Sequence, residues 1–372
     1  MSYEWHFRQS AIGLLSMFTL IATADPDFQE MAWAEIVAAG RGARLLGVLA
    51  AGVMGVALEE SFWELAARWH RQPPIFIRHI CPVMMMLPAG DLANLSQQIV
   101  RELGDLVEPN LPFSVQSRIF GADTPKPFEV NTALAAAIDQ APLDVRRPEQ
   151  IFSVVIGPYQ GRQMAFVGLS PAAYNLSDWA GGVRRFAHRP EQISRAEFKL
   201  LEALELFAIS LPAGGVALDL GAAPGGWTRL LRQLGQWVTA VDPAGLHPSL
   251  YQDKQIRHLR QTAQAYLAND PDHFDLIVND MRLDARDSGR IMADYAPQLH
   301  SHGFALMTLK LPEQKREQVI DHTFNILRPA YTIAGARQLF HNRSEITLHL
   351  RLANTPPNLY KSGNSPQKRA IT

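Results

Sequence analysis

From residue 215 onward, short apolar runs alternate with helical sequence in a rhythm that leaves few architectures open. The runs are "GVALDL" (215–220), "WVTAVD" (237–242), "IRHLR" (256–260), "FDLIVND" (274–280) and "GFALMTLK" (303–310), with helical stretches between most of them. Strands this apolar are buried on both faces, and strands joined through helices run parallel, because a parallel pair needs a crossover of a dozen or more residues. Residues 191–352 are therefore expected to form an α/β domain with a Rossmann-like, mainly parallel sheet. The last run, "EITLHLRL" (345–352), is apolar at 346, 348, 350 and 352, the pattern of a strand with one buried face. The short turn before it predicts an antiparallel partner.

The front of the chain reads differently. Residues 1–90 give strand (12–22), helix (28–39), two strands (43–58), helix (60–69) and strand (75–87), a βαββαβ order that predicts a small ferredoxin-like α+β domain. Residues 91–190 follow as a second α+β unit: helix (93–107), strand (113–120), helix (129–140) and a pair of strands within 152–170. The end of the chain, 353–372, is rich in Pro, Asn, Ser and Lys and is expected to be a disordered tail.

Composition narrows the function. Thirty-five Lys and Arg against 36 Asp and Glu leave no global field to attract a polyanion, so any nucleic-acid contact has to be local. One such place is "SDWAGGVRRFAHRPEQISRAEF", where Arg184, Arg185, Arg189 and Arg195 stand among few acids, with Trp179 and Phe186 between them. It reads either as an interdomain linker or as a strip that touches RNA phosphates. A single cysteine, Cys81, rules out an internal disulfide and fits a cytoplasmic protein. The apolar stretch 11–24 runs into a helical segment rather than a cleavage site, and 43–58 is interrupted by glycine. Neither a signal peptide nor a membrane partner is expected.

The residues that carry chemistry fall where strands end. "DLGAAPGGWT" (219–228) closes the first strand with glycines at 221, 225 and 226 and a proline at 224, and Asp242 closes the second. An acid about 20 residues beyond a glycine turn suits ribose hydroxyls. Pro224 excludes the tight dinucleotide turn, so a nucleoside ligand without pyrophosphate, S-adenosylmethionine, is expected here instead of NAD. Asp219, Gly221, Ala222, Ala223, Pro224, Gly225, Gly226, Trp227, Asp242 and Asp280 are the candidate cofactor residues. Asp280 and Lys310 end the fourth and fifth strands, and Glu345 begins the last one.

"SRAEFKLLEA", "LDLGAAPGGWT", "FDLIVNDM", "LMTLK" and "NRSEITLHL" occur in an order that resembles the FtsJ-like RNA ribose 2′-O-methyltransferases. The resemblance implies a Lys-Asp-Lys-Glu catalytic tetrad at Lys199, Asp280, Lys310 and Glu345, with Lys310 as the base for a ribose hydroxyl. A second cation and burial would both favour the neutral amine that this role needs. The 94–190 segment is similar to THUMP RNA-binding domains through "FSVQSRIF" and "MAFVGLS". Together these resemblances imply a large-subunit rRNA (23S or a fragment met before subunit assembly) as substrate and a cytidine ribose as target. A non-catalytic assembly factor that retains the fold, or a 2′-O-methyltransferase of another RNA, stays open at this point.

Other methyl-transfer chemistries lack their residues. "NDMR" stands where amino-group methylation uses D/N-P-P-Y/F, and residues 191–352 hold no cysteine for attack on a pyrimidine carbon. No metal site is expected, since His300 and His302 read as loop residues. The acid that these enzymes often carry after the third strand is replaced by Gln261 and Thr262.

Overall fold

A computed structural model describes residues 17–353 apart from 123 and 270; the first residues of the strand expected from 12 and the tail from 354 lie outside the described residues. The chain divides into two compact units, residues 1–209 with 336–347, and residues 210–335 with 348–372.

The first unit holds two four-stranded sheets. One is built from β1 (Leu20–Ala24), α1 (Gln29–Ala39), β2 (Arg44–Ala50), β3 (Val53–Ala57), α2 (Phe62–Arg71) and β4 (Ile77–Pro82), with strand order β2-β3-β1-β4 and antiparallel pairing. Local chemistry explains the joints. The β2–β3 turn needs a glycine at 52, where φ is +75° and a Cβ would stand 2.3 Å from the Ala24 carbonyl oxygen. Ser61 and Glu64 cap α2 reciprocally, and that helix buries Phe62, Leu65, Ala66 and Trp69, the three-and-four spacing of one helical face.

The other sheet comprises β5 (Met85–Pro88), α3 (Leu92–Leu103), β6 (Phe113–Ile119), α4 (Pro127–Ala137), β7 (Gln150–Tyr159) and β8 (Arg162–Pro171), in the order β5-β8-β7-β6. Its β6–β7 pair is parallel and its other pairs antiparallel. Leu95, Ile99 and Leu103 of α3 and Val130 and Leu134 of α4 cover one face, against Phe113, Phe152 and Val154. From the other face Val155 and Phe166 meet Ile21, Leu49 and Cys81 of the first sheet and Phe18 just before it.

The single strand expected at 75–87 is two strands in two sheets. The exchange of partners falls at Val83 and Met84, whose N–H groups donate to Thr19 and Val167 respectively. Pro82, which has no N–H to give a ladder, ends the first of them. After β8 come 3-10 turns at Ala172–Tyr174 and Ala180–Gly182, then α5 (Ala196–Leu206).

The rest of the chain follows the rhythm of the sequence: β9 (Val216–Leu220), α6 (Gly226–Gln233), β10 (Trp237–Val241), β11 (Ile256–Leu259), α7 (Ala263–Leu267), β12 (Phe274–Asn279), α8 (Ala285–Asp294), β13 (Leu299–Lys310), α9 (Arg316–Leu327), β14 (Tyr331–Arg337) and β15 (Glu345–Leu352), of which the end of β14 and the start of β15 fall in the first unit. The sheet order is β11-β10-β9-β12-β13-β15-β14, and the β9–β10, β10–β11, β9–β12 and β12–β13 pairs are parallel. The fold is thus Rossmann-like α/β. The chain leaves β9 toward β10 on one side and returns to β12 on the other. That reversal opens a crevice at the carboxyl ends of the strands, where open α/β sheets bind ligands.

Two expectations need correction here. β15 is buried on both faces from Glu345 to Leu350, not on one, because it lies inside the sheet between β13 and β14. Its polar residues are accommodated accordingly: Thr347 donates to Asn342 Oδ1, and His349 sits edge-on to Phe304, burial pushing its imidazole down to about 4. His300 and His302 lie on β13, not in a loop; two residues apart on a strand, they share a face and their rings stack 5.6 Å apart.

Candidate active site

Asp219 lies in β9, one residue before the strand's end, with only 2% of its surface exposed. Burial pushes its carboxyl up to about 7 from the ordinary 3.8, a hydrogen bond from Thr228 opposes this, and the carboxylates of Asp280 and Asp242 add to it. The Thr228 hydroxyl donates to Asp219 Oδ2 at 2.6 Å, tying the strand to the first turn of α6. In the turn between them Gly221 has φ +75° and Gly225 φ +108°. A Cβ on Gly221 would stand 2.4 Å from Met281 Cγ, and one on Gly225 2.4 Å from Leu250 Cδ1. The requirement for glycine at these positions therefore comes first from the protein's own packing. Ala222 and Trp227 are buried, Gly226 opens α6, and the Ala223–Pro224 peptide is cis.

Asp242 follows β10 and is half-buried. Its Oδ2 accepts the Ala223 N–H at 3.1 Å and its Oδ1 the Ala244 N–H at 2.7 Å. A carboxylate offers about four acceptor positions, so both oxygens retain capacity for a vicinal diol. After β11, Thr262 caps α7 by accepting the Ala265 N–H at 3.1 Å.

At the ends of β12 and β13 the geometry is tighter. Lys310 Nζ donates to Asp280 Oδ1 at 2.5 Å and to Thr308 Oγ1 at 2.8 Å, while Thr308 donates to the same Asp280 oxygen at 2.7 Å. Thr308 reaches this triangle because it is two residues before Lys310 and so projects from the same face of β13. The buried Asn279 fixes the backbone on the other side: its Oδ1 accepts the Met281 N–H, and its Nδ2 donates to Ser288.

The other two sequence-predicted residues belong to the first unit. Lys199, on α5, forms an ion pair with Glu345, Nζ to Oε1 at 2.5 Å, and Asn342 Nδ2 donates to that oxygen at 3.4 Å. Both side chains are well covered, 17% and 5% exposed, so neither is a solvated surface residue. Glu197 accepts the Ile193 N–H at 2.8 Å and anchors the start of α5. The structure thus brings Lys199 to Glu345 and Lys310 to Asp280 as two ion pairs.

The arginine strip is not uniform. Arg184 is enclosed: its guanidinium lies 4.0 Å from the ring centroids of both Trp179 and Phe186, and its Nε donates to Glu205 at 2.7 Å. Arg185 and Arg195 are exposed and Arg189 is half-buried. Sequence reading missed Thr308, Asn342 and Glu202. Only Thr308 carried a signal, its same-face spacing from Lys310.

Residues 192–331 match the FtsJ-like methyltransferase family, and the methyl donor is S-adenosylmethionine. The turn fits that group, since it offers the Asp242 carboxylate for a ribose next to a glycine-containing backbone at the sheet's crevice. Among its relatives are proteins named ribosomal RNA large subunit methyltransferase M. The one from Tolumonas auensis is 28% identical over 316 residues, 78% of this chain and 83% of that protein. That from Pseudoalteromonas translucida is 28% identical over 244 residues, 62% and 67%. That from Alkalilimnicola ehrlichii is 36% identical over 189 residues, 49% and 51%, so some of these alignments span only about half of the relative.

Proposed function

We propose that the protein is an S-adenosylmethionine-dependent RNA ribose 2′-O-methyltransferase acting on large-subunit rRNA, at a cytidine of 23S rRNA or of a fragment met before subunit assembly. The observation that carries the reading is the Lys310–Asp280–Thr308 triangle, an amine held at a fixed point beside the crevice. When bound, the cofactor supplies a methyl group on a sulfonium sulfur, which departs as a neutral thioether. Asp242 holds its ribose, the 221–227 turn its remaining length, and Asp219 keeps that turn tied to α6.

Lys310, acting in its unprotonated form, takes the proton of the 2′-hydroxyl on Nζ as the ribose oxygen forms its new bond to carbon and the carbon–sulfur bond breaks. A general base of this kind contributes about 100- to 10,000-fold. Asp280 and Thr308 aim the amine, so its lone pair is presented without a search over the lysine's rotamers. The family resemblance assigns Lys199 and Glu345 to the same catalytic tetrad. The front region, a ferredoxin-like part (1–90) and a THUMP-like part (91–190), together with Arg185, Arg189 and Arg195, holds folded RNA. Among the described residues no helix is long and apolar enough to cross a membrane, and a cytoplasmic location suits an rRNA substrate.

The test is transfer of labelled methyl to protein-free 23S rRNA, followed by nucleoside mass spectrometry. The expected product is a ribose-methylated cytidine, and Lys310→Ala lowers transfer at least about 100-fold while cofactor binding by calorimetry persists. A methyl group found on a base, or near-normal turnover by the variant, refutes the assignment.

A further inference from the structure

The segment that leads into Glu345 is held in large part by side chains and backbone from far earlier in the chain. Buried Arg337 donates to the carbonyls of Pro74 at 2.5 Å and Ile77 at 2.8 Å, and Gln338 N–H donates to the Ile75 carbonyl at 2.8 Å. The strand start that supplies those carbonyls is itself fixed from α1, where Glu35 accepts the N–H groups of Ile75 and Phe76 at 2.6 and 2.9 Å.

Arg78, the second residue of β4, continues the connection. Its guanidinium donates to Gln338 Oε1 at 2.8 Å and to the Leu339 carbonyl at 3.1 Å, lies over the Phe340 ring, and is neutralised by Asp25 at 2.9 Å. The Ala180–Gly182 turn closes over it: a Cβ on Gly182 would stand 2.7 Å from Arg78 Cβ. From the other side Glu202, one turn along α5 from Lys199, accepts the N–H groups of Phe340 and His341 and bonds the His341 ring. Leu339 N–H donates to Asn342 Oδ1, and Asn342 Nδ2 reaches Glu345. The path from Arg78 to Glu345 is thus a short run of hydrogen bonds through buried groups, within one compact unit.

We propose that Arg78 and Glu202 are positioning residues for methyl transfer, fixing residues 337–345 so that the Glu345 carboxylate meets Lys199. The ferredoxin-like sheet then serves as a brace for the catalytic pair. This rests on reading Glu345 as a member of the tetrad. Loss of the brace displaces the pair without removing any group that binds RNA or cofactor, and a misplacement of about 1 Å is enough to cost about 100-fold in rate.

The test uses full-length Arg78→Met, Arg78→Lys and Glu202→Gln. Hydrogen exchange at 338–345 and steady-state kinetics are measured for each. Arg78→Met is expected to speed exchange in that segment and to lower kcat about 100-fold, with KM for RNA and cofactor within about two-fold of the parent; Arg78→Lys, which keeps the charge opposite Asp25, recovers part of the rate. Unchanged kcat alongside faster exchange overturns the proposal, and so does a raised KM for RNA with kcat intact, which makes Arg78 an RNA contact. If Arg78→Met does not fold by circular dichroism, Glu202→Gln decides by the same criteria. Absence of transfer by the parent chain removes the proposed activity, whereas the exchange comparison still decides whether Arg78 orders the segment.

Discussion

Replacing Asp219 by Asn isolates the effect of one buried proton. In the folded chain Asp219 keeps its proton up to about pH 7, whereas in the unfolded chain it loses it near 3.8. Between those values the folded state binds the extra proton, so stability falls as pH rises through the window and is lowest above 7. Three pH units at about 1.4 kcal/mol each set the loss at roughly 4 kcal/mol. Asn mimics the protonated carboxyl, and its carbonyl oxygen still accepts from Thr228, which now donates at 2.6 Å. The variant should therefore match the parent near pH 4 and exceed it above pH 7.5. At a few degrees per kcal/mol for a domain of this size, the gain in Tm is of the order of 10 °C. Thermal unfolding of the ligand-free protein, followed by circular dichroism from pH 4 to 8, reads this directly. An equal loss of stability at both ends of the range would falsify the protonated, buried carboxyl.

Two further outcomes follow from the site. Thr308→Val removes a hydroxyl bonded to both Asp280 and Lys310; with about 1.5–3 kcal/mol per charge-assisted bond, single-turnover transfer should slow about 10- to 100-fold and return with Thr308→Ser, and a normal rate for the valine variant excludes the triangle from catalysis. Arg185→Ala and Arg195→Ala should each weaken RNA binding and lower the slope of log K against log salt by about 1, read by fluorescence anisotropy. Arg184→Ala should instead lower Tm, because its guanidinium is clasped between Trp179 and Phe186; a change in salt slope with Tm intact reverses that distinction.

The parallel sheet of the second unit was legible because most of its strands are short, mainly apolar runs separated by helical sequence, a signal that depends only on near neighbours. The glycine turn and the acids at strand ends were legible for the same reason. What escaped depends on distance along the chain. Nothing local marks Arg78 as a partner of Gln338, or Glu202 as the acceptor for Phe340, since those pairs form only after the fold has brought remote segments together. Strand 75–87 was read as one because its apolarity runs unbroken through Pro82, whereas the change of sheet is set by which acceptor, Thr19 or Val167, each N–H finds. The burial of Thr347 and His349 on β15 was likewise hidden: alternation predicts a wet face, but an interior strand has none.

The first compact unit is discontinuous: residues 1–209 are completed by 336–347. During synthesis the carbonyls at 74, 75 and 77 and the Glu202 carboxylate must wait for partners until all of residues 210–335 have been made. At about 5–20 residues per second that is on the order of ten seconds. A nascent chain thus holds a nearly finished unit with its last buried polar groups open to water. Order in the segment that carries Glu345 arrives only with residues 336–347, so a chain stopped by premature termination within 210–335 cannot present the Lys199–Glu345 pair. Synthesis of residues 336–347 is thus the event that assembles this half of the chemistry.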